Sequence, residues 1–232
     1  LMARLLVDGD PVGNSYSVET FNSGMMYEGY HMIDVEVCEN GVVFFLYEKG
    51  SEIILRIQHS DESVPSKYLI LSETGPDNRF FQPSLAVNGN LGLAVWAGRY
   101  ESGGDPLIFG QYVTSEGKLI GNNFSVEAGN SFSGRPPVVA LNNKGNALIC
   151  WEEMSGYDNA EIKGKFVSKG GESFTNVFTV NNNPGTATSR YPVVCGNGDD
   201  IFAVIWNIKE NRNHYWKVKT YKLAGREVNQ TD

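Results

Sequence analysis

Acid and base chemistry on a glycosidic bond needs two carboxyl groups flanking it, one holding a proton and one ionised. The chain offers Asp34, Glu36, Asp105, Asp158 and Glu161 for such a pair. Each falls in or beside a predicted turn or strand end, where solvated carboxylates are ordinary, so the groups are present but the pattern does not pair them. His31, His59 and His214 lie far apart in the chain, without the close His, Cys or carboxylate spacing of a zinc site. Neither a Gly-x-Ser-x-Gly elbow nor a phosphate-binding glycine loop occurs, and the Ser-x-Asp-x-Gly-x-Thr-Trp box of sialidases is absent. Asp8 and Asp10 in "DGDPVG" and Asp199 and Asp200 in "GNGDD" carry oxygens suited to calcium but miss the EF-hand spacing, and read as turn formers. No catalytic residue, metal or cofactor is assigned on these grounds.

Sugar recognition asks for planar aromatics beside amide and carboxylate hydrogen-bonding groups. Three segments at equivalent positions, "AGRYESGGDP", "EEMSGYDNAE" and "NIKENRNHYW", are rich in them. Read as loops gathered on one side of the fold, they nominate Tyr100, Asp105, Tyr157, Asp158, Asn213, Tyr215 and Trp216 as a glycan-binding face. Trp216 reads equally well as a strand-packing residue. Two N-x-[ST] sequons, at Asn123 and Asn229, are acceptors for glycosylation in a secreted eukaryotic protein.

The elements that position these residues are set by a repeat. Trp96, Trp151 and Trp206 recur every 55 residues, preceded by "PSLAVNGNLGLAVW", "PVVALNNKGNALICW" and "PVVCGNGDDIFAVIW", and "HMIDVEVCENGVVFFLYE" is a fainter copy with Tyr47 in the tryptophan's place. "GNSYSVE" from Gly13 returns as "GNNFSVE" from Gly121, two periods on. Each unit reads as four short strands separated by Asn/Gly turns. The expectation is therefore all-β: a β-propeller of four to five four-stranded blades, with incomplete first and last blades. The units are a partial blade over 1–20, a divergent one over 21–75, full blades over 76–129 and 130–183, and a partial one over 184–232, giving seventeen strands. The repeated tryptophan is predicted to fill the wedge between blades, and the repeated proline to open a strand, where its missing N–H costs nothing. The pattern resembles the propeller-type repeats of large secreted and surface proteins of bacteria and ciliated protists, over about 155 residues. That resemblance implies an extracellular binding or scaffold module and brings no catalytic residues, so the expectation is a non-enzymatic structural or adhesive module with other surface proteins or glycans as partners; the incomplete terminal blades add self-association, in filaments if the contact runs head to tail. A carbohydrate-binding propeller and a glycosidase are the alternatives.

Charge narrows the partners. With 19 basic and 27 acidic residues the net charge is −8, and no basic cluster suits nucleic acid or an anionic membrane. No apolar run approaches the roughly 20 residues of a spanning helix. The sequence begins at Leu1 with neither an initiator methionine nor a signal-peptide pattern, which fits a processed chain or part of a longer one. Cys38, Cys150 and Cys195 are odd in number; Cys150 and Cys195 lie in apolar runs and are expected to be buried small hydrophobes.

Overall fold

The computed structural model describes residues 2–7, 10–17, 33–61, 63–72, 79–99, 107–126, 135–154, 159–181, 187–224 and 227–231. The chain falls into two compact units, Leu1–Tyr30 and His31–Asp232. The first holds an antiparallel hairpin of β1 (Met2–Val7) and β2 (Asp10–Ser17), whose register slips between Ala3 and Leu5.

The second unit is a β-propeller, as the repeat predicts. Four antiparallel sheets each take four strands in chain order. They are β3 (Ile33–Val37), β4 (Val43–Lys49), β5 (Glu52–Gln58) and β6 (Lys67–Ile70); β7 (Arg79–Asn88), β8 (Leu91–Arg99), β9 (Leu107–Thr114) and β10 (Leu119–Val126); β11 (Val138–Leu141), β12 (Ala147–Met154), β13 (Ala160–Val167) and β14 (Phe178–Thr179); and β15 (Thr188–Gly196), β16 (Ile201–Glu210), β17 (Asn213–Ala224) and β18 (Glu227–Thr231). The first strands of neighbouring sheets lie side by side, β3 with β7, β7 with β11 and β11 with β15. The β9–β10 hairpin slips register between Ile120 and Phe124, around the same Gly-Asn pair that accompanies the slip in β1–β2. A repeated phrase thus carries a repeated bulge.

Sheets buried on both faces need apolar residues on both, so β8 and β12 read as unbroken apolar runs rather than alternating ones. Three cores result, one in each wedge. Trp96 packs with Phe44, Leu46 and Leu55 of the preceding sheet; Trp151 with Val95, Ile108 and Tyr112; Trp206 with Cys150, Ile162 and Phe166. Each indole therefore faces the sheet before its own, while Val95 and Cys150, which precede Trp96 and Trp151, face the sheet after. Tyr47, the tryptophan's stand-in, is fully buried.

Turns add a second tie between sheets. The Glu39 N–H donates to Gly89 O at 2.8 Å and the Asn143 N–H to Gly198 O at 2.5 Å, each linking the first turn of one sheet to that of the next.

Three expectations are corrected. The count of seventeen strands, with three in the last blade, gives way to eighteen among the described residues, because the fourth strand starts straight after the third turn, as Leu119 does in β10 and Glu227 in β18. Pro83 and Pro192 do not open strands. They sit inside β7 and β15 at bulges, each behind a residue of positive φ, Gln82 (56°) and Tyr191 (58°), where the ladder is already broken. Only Pro137 stands just ahead of its strand. Finally, Cys38 and Cys150 are buried but Cys195 is exposed, since alternation along β15 puts it on the side opposite Val194, which packs on the core.

Candidate functional site at the loop end of the sheets

Antiparallel order gives every sheet two unlike ends. At the turn end lie the tight turns joining first to second and third to fourth strands. At the loop end lie the second-to-third connections and the passages between sheets, so that the start of a first strand sits beside the end of its second, as Ile33 pairs with Tyr47 and Thr188 with Lys209.

Carboxylates gather at the loop end. Asp34, near the start of β3, accepts from the N–H of Leu85 at 2.8 Å and from Ser84 Oγ at 3.3 Å through Oδ2, and from the Val35 N–H at 2.9 Å through Oδ1. Glu36 follows two residues on, on the same side of the strand because strand side chains alternate, and so lies toward the turn end, one residue before β3 stops. Partial burial, with Asp34 adding its negative charge, holds the Glu36 carboxyl above the usual carboxylate range.

A second group sits on the third sheet. Glu152 is fully buried; its Oε1 accepts from the Tyr191 N–H at 2.6 Å and its Oε2 lies 3.3 Å from Arg135 Nε. The Arg135 guanidinium covers the Tyr191 ring at 4.3 Å. This clamp ties the second strand of one sheet to the bulge of the next, and Glu48 repeats it more loosely, 3.4 Å from the Gln82 N–H. Glu153 and Glu161 stand opposite each other across β12 and β13. Lys163 reconciles these like charges, 3.4 Å from Glu153 Oε2 and 2.7 Å from Glu161 Oε2. Desolvation works against its charge, but the two glutamates prevail and raise its pKa.

Of the residues nominated from sequence, Tyr100, Asp105, Tyr157 and Asp158 lie outside the described residues, as does His31. The segment "NIKENRNHYW" is not a loop: apart from the turn at Asn211 (φ 57°) and Arg212 it is strand, the hairpin of β16 and β17. The pleat then separates two aromatics that are adjacent in sequence. Asn213 and Tyr215 share one face, where the Tyr215 hydroxyl donates to Glu210 Oε2 at 2.9 Å, a bond that raises its pKa. Trp216 points to the other face, opposite Asn207. Asn123 is half-buried with its Nδ2 donating to Leu71 O at 2.7 Å, so the nitrogen a glycan would take is already engaged. Asn229 is on β18, paired with Lys222.

His59 and His214 belong to different sheets, and among the described residues no three His, Cys, Asp or Glu side chains group to hold a metal ion. Asp200 is bound to Lys144 at 2.8 Å and accepts from Asn142 Nδ2, a turn-to-turn contact between sheets. At the turn end, three neighbouring sheets enclose a cavity of about 620 Å³ lined by Glu39, Asn90, Glu116, Asn143, Lys144 and Lys169 among others, with no aromatic platform. No helix among the described residues is long and apolar enough to cross a membrane.

Arg135, Glu152, Tyr191, Glu153 and Lys163 were not singled out from sequence. A signal for the clamp was present in the repeat: Glu152 follows Trp151 as Glu48 follows Tyr47, the same acidic residue one place after the aromatic at that repeat position.

No protein-family model matches the chain. No curated protein matches it. Solved structures do resemble it in fold. An N-acetylgalactosamine deacetylase from F. plautii, in complex with blood group B trisaccharide, superposes with TM-score 0.50 at 12% identity, over 85% of this chain and 68% of that one. A protein of unknown function from Dyadobacter fermentans gives 0.52 at 13%, over 80% and 51%. The α-L-arabinofuranosidase of Fusarium graminearum, in complex with an iminosugar inhibitor, gives 0.50 at 8%, over 84% and 64%. These likenesses overturn the expectation of a non-enzymatic structural or adhesive module: the fold is shared with proteins that act on sugars, so a scaffold role no longer follows from it.

Proposed function

We propose that the protein is a carbohydrate-active propeller that cleaves a glycosidic bond beside β3, the first strand of its first sheet, with Glu36 as proton donor and Asp34 as the partner carboxylate. The observation that carries this reading is the unequal setting of two carboxyls on one side of β3. Asp34 accepts three hydrogen bonds, whereas Glu36 is partly desolvated beside it and holds its proton to higher pH. Glycoside cleavage requires two carboxyls in unlike settings, one of them suited to hold a proton. Glu36 would give its proton to the departing glycosidic oxygen, and Asp34 would attack the anomeric carbon or take a proton from an attacking water. The fold shared with a sugar deacetylase and an arabinofuranosidase supports a carbohydrate substrate, and an extracellular site of action suits one.

Turnover of a panel of aryl glycosides and polysaccharides tests it. Glu36→Gln and Asp34→Asn should each lower kcat/KM about 10²- to 10⁴-fold, the span of general acid–base catalysis. Asn keeps an oxygen for the Leu85 N–H, so the fold survives. Wild-type kcat/KM should fall as pH rises through the raised pKa of Glu36. Absence of turnover on every glycoside, or full activity in both variants, refutes the proposal.

A further inference from the structure

At the turn end, backbone bonds tie the first sheet to the second, through the Glu39 N–H and Gly89 O, and the third to the fourth, through the Asn143 N–H and Gly198 O. Among the described residues no such bond joins the turns of the second and third sheets. The lengths of the turns differ there. Residues 38–42 connect β3 to β4 and residues 142–146 connect β11 to β12, whereas Gly89 and Asn90 alone connect β7 to β8. The short turn leaves room beside the third sheet, and the cavity of about 620 Å³ is bordered by Gly89 and Asn90 on one side and by Asn143, Lys144 and Gly145 on the other.

Charge in this cavity is sorted by sheet. Glu39 comes from the first sheet and Glu116 from the second, while Lys144 and Lys169 come from the third. Hydrogen bonds from Thr114, from its own backbone and from Ser115 hold the Glu116 carboxyl below the usual carboxylate range, so it is ionised at neutral pH. Lys144 is committed to Asp200 at 2.8 Å. Lys169 is then the lysine left to serve the cavity, and its stem is held over Gly145, where an added Cβ would come within 2.8 Å of Leu91 Cδ2 and 3.1 Å of Lys169 Cβ. That turn is itself pinned, because the Tyr112 hydroxyl donates to Gly145 O at 2.9 Å. Asn90 is fixed as well: its carbonyl accepts from the Ser115 N–H at 3.0 Å and its Oδ1 from the Asn40 N–H at 3.1 Å.

Among the described residues neither Glu39 nor Lys169 is ion-paired. Opposite charges thus border one cavity without cancelling each other. A simple anion or cation would meet one wall and be repelled by the other, whereas a ligand charged oppositely at its two ends satisfies both. The lining carries no aromatic ring for stacking, and the amides of Asn90 and Asn143 suit a peptide group.

We infer that this cavity binds a small zwitterion, an amino acid or short peptide, with its ammonium group at Glu39 and Glu116 and its carboxylate at Lys169.

Glycine, diglycine, triglycine and tetraglycine are the probes, added to the full chain at neutral pH and low salt while the amide signals of Gly89, Asn90 and Gly145 are followed by NMR. At least one probe should shift these signals saturably, and its binding should weaken as salt is raised. Acetylating the amino end of that probe, or amidating its carboxyl end, removes one charge and should weaken binding about tenfold or more, the worth of one hydrogen bond to a charged group. Lys169→Met and Glu39→Gln should each do the same; both side chains are exposed, and unchanged urea midpoints confirm that the fold is kept. No saturable shift with any of the four probes overturns the inference. So does an affinity unchanged by blocking either end of the probe, or unchanged in both variants. Glycoside turnover plays no part in this readout, so failure here leaves the proposal for Glu36 and Asp34 standing.

Discussion

Glu36 is costly to ionise where it stands. Because its folded pKa is raised, the contribution it makes to stability is fully present below the unfolded carboxylate pKa, about 4.3, and is lost as pH rises through the folded value. Glu36→Gln should therefore make the protein more stable than wild type at pH 7, with the difference vanishing as the solution is acidified below about pH 4. Urea melts across pH 3 to 8 measure it, and a difference that grows on acidification contradicts the assignment. Glu152 is buried and bound to two partners, the Tyr191 N–H and Arg135. Its replacement by Leu leaves the Tyr191 N–H without its acceptor and removes the carboxylate that Arg135 Nε meets at 3.3 Å, at a cost of about 2–3 kcal/mol; Glu152→Gln, which keeps an acceptor, should cost less. Cys38 carries a related signature: burial first, then the charges of Glu116 and Glu36, push its thiol up to about 11, so it should resist alkylation at pH 8 while Cys195 reacts.

Strand and hairpin explain which sequence features were legible. Asn/Gly turns and the apolar phrase ahead of each tryptophan located the first three strands of every full unit, because turn chemistry and pattern are local. Two readings failed where pairing, which is not local, decided. The bulges at Gln82–Pro83 and Tyr191–Pro192 depend on an acceptor from another sheet, Glu48 or Glu152. The supposed loop before Trp216 is strand because β16 and β17 pair along their whole length, and the pleat then sends Tyr215 and Trp216 to opposite faces. Close packing at this scale is tested at Gly98, where an added Cβ would run into the Phe80 ring with Phe109 behind it. Gly98→Ala should cost about 1–3 kcal/mol, as overpacking does, and an unchanged urea midpoint would mean that the ring yields.

Cohesion of the whole second unit rests on its three wedges. A buried tryptophan removes about 150–250 Å² from water, and Trp151 is completely enclosed between two sheets. Trp151→Ala should destabilise by about 3–5 kcal/mol, read from the denaturant midpoint. Because one wedge joins the sheets on either side, the loss should also be felt as faster hydrogen exchange in both β8 and β12. Exchange that rises in one sheet alone would mean that the sheets open independently, as weakly coupled repeats do.

Period, turn chemistry and the two-sided apolar strands were enough to specify a propeller of repeated four-stranded sheets, since each blade is built from contacts a few residues apart and repetition makes the pattern redundant. Where the functional groups meet is a different matter. Asp34 reaches Leu85, Glu152 reaches Tyr191, and Ile205 is exposed although Val95 and Cys150, at the same place before the tryptophan, are buried. These outcomes depend on which face of one sheet meets the next. A strand's own residues carry no record of its neighbour across a wedge, so tertiary packing alone decided them.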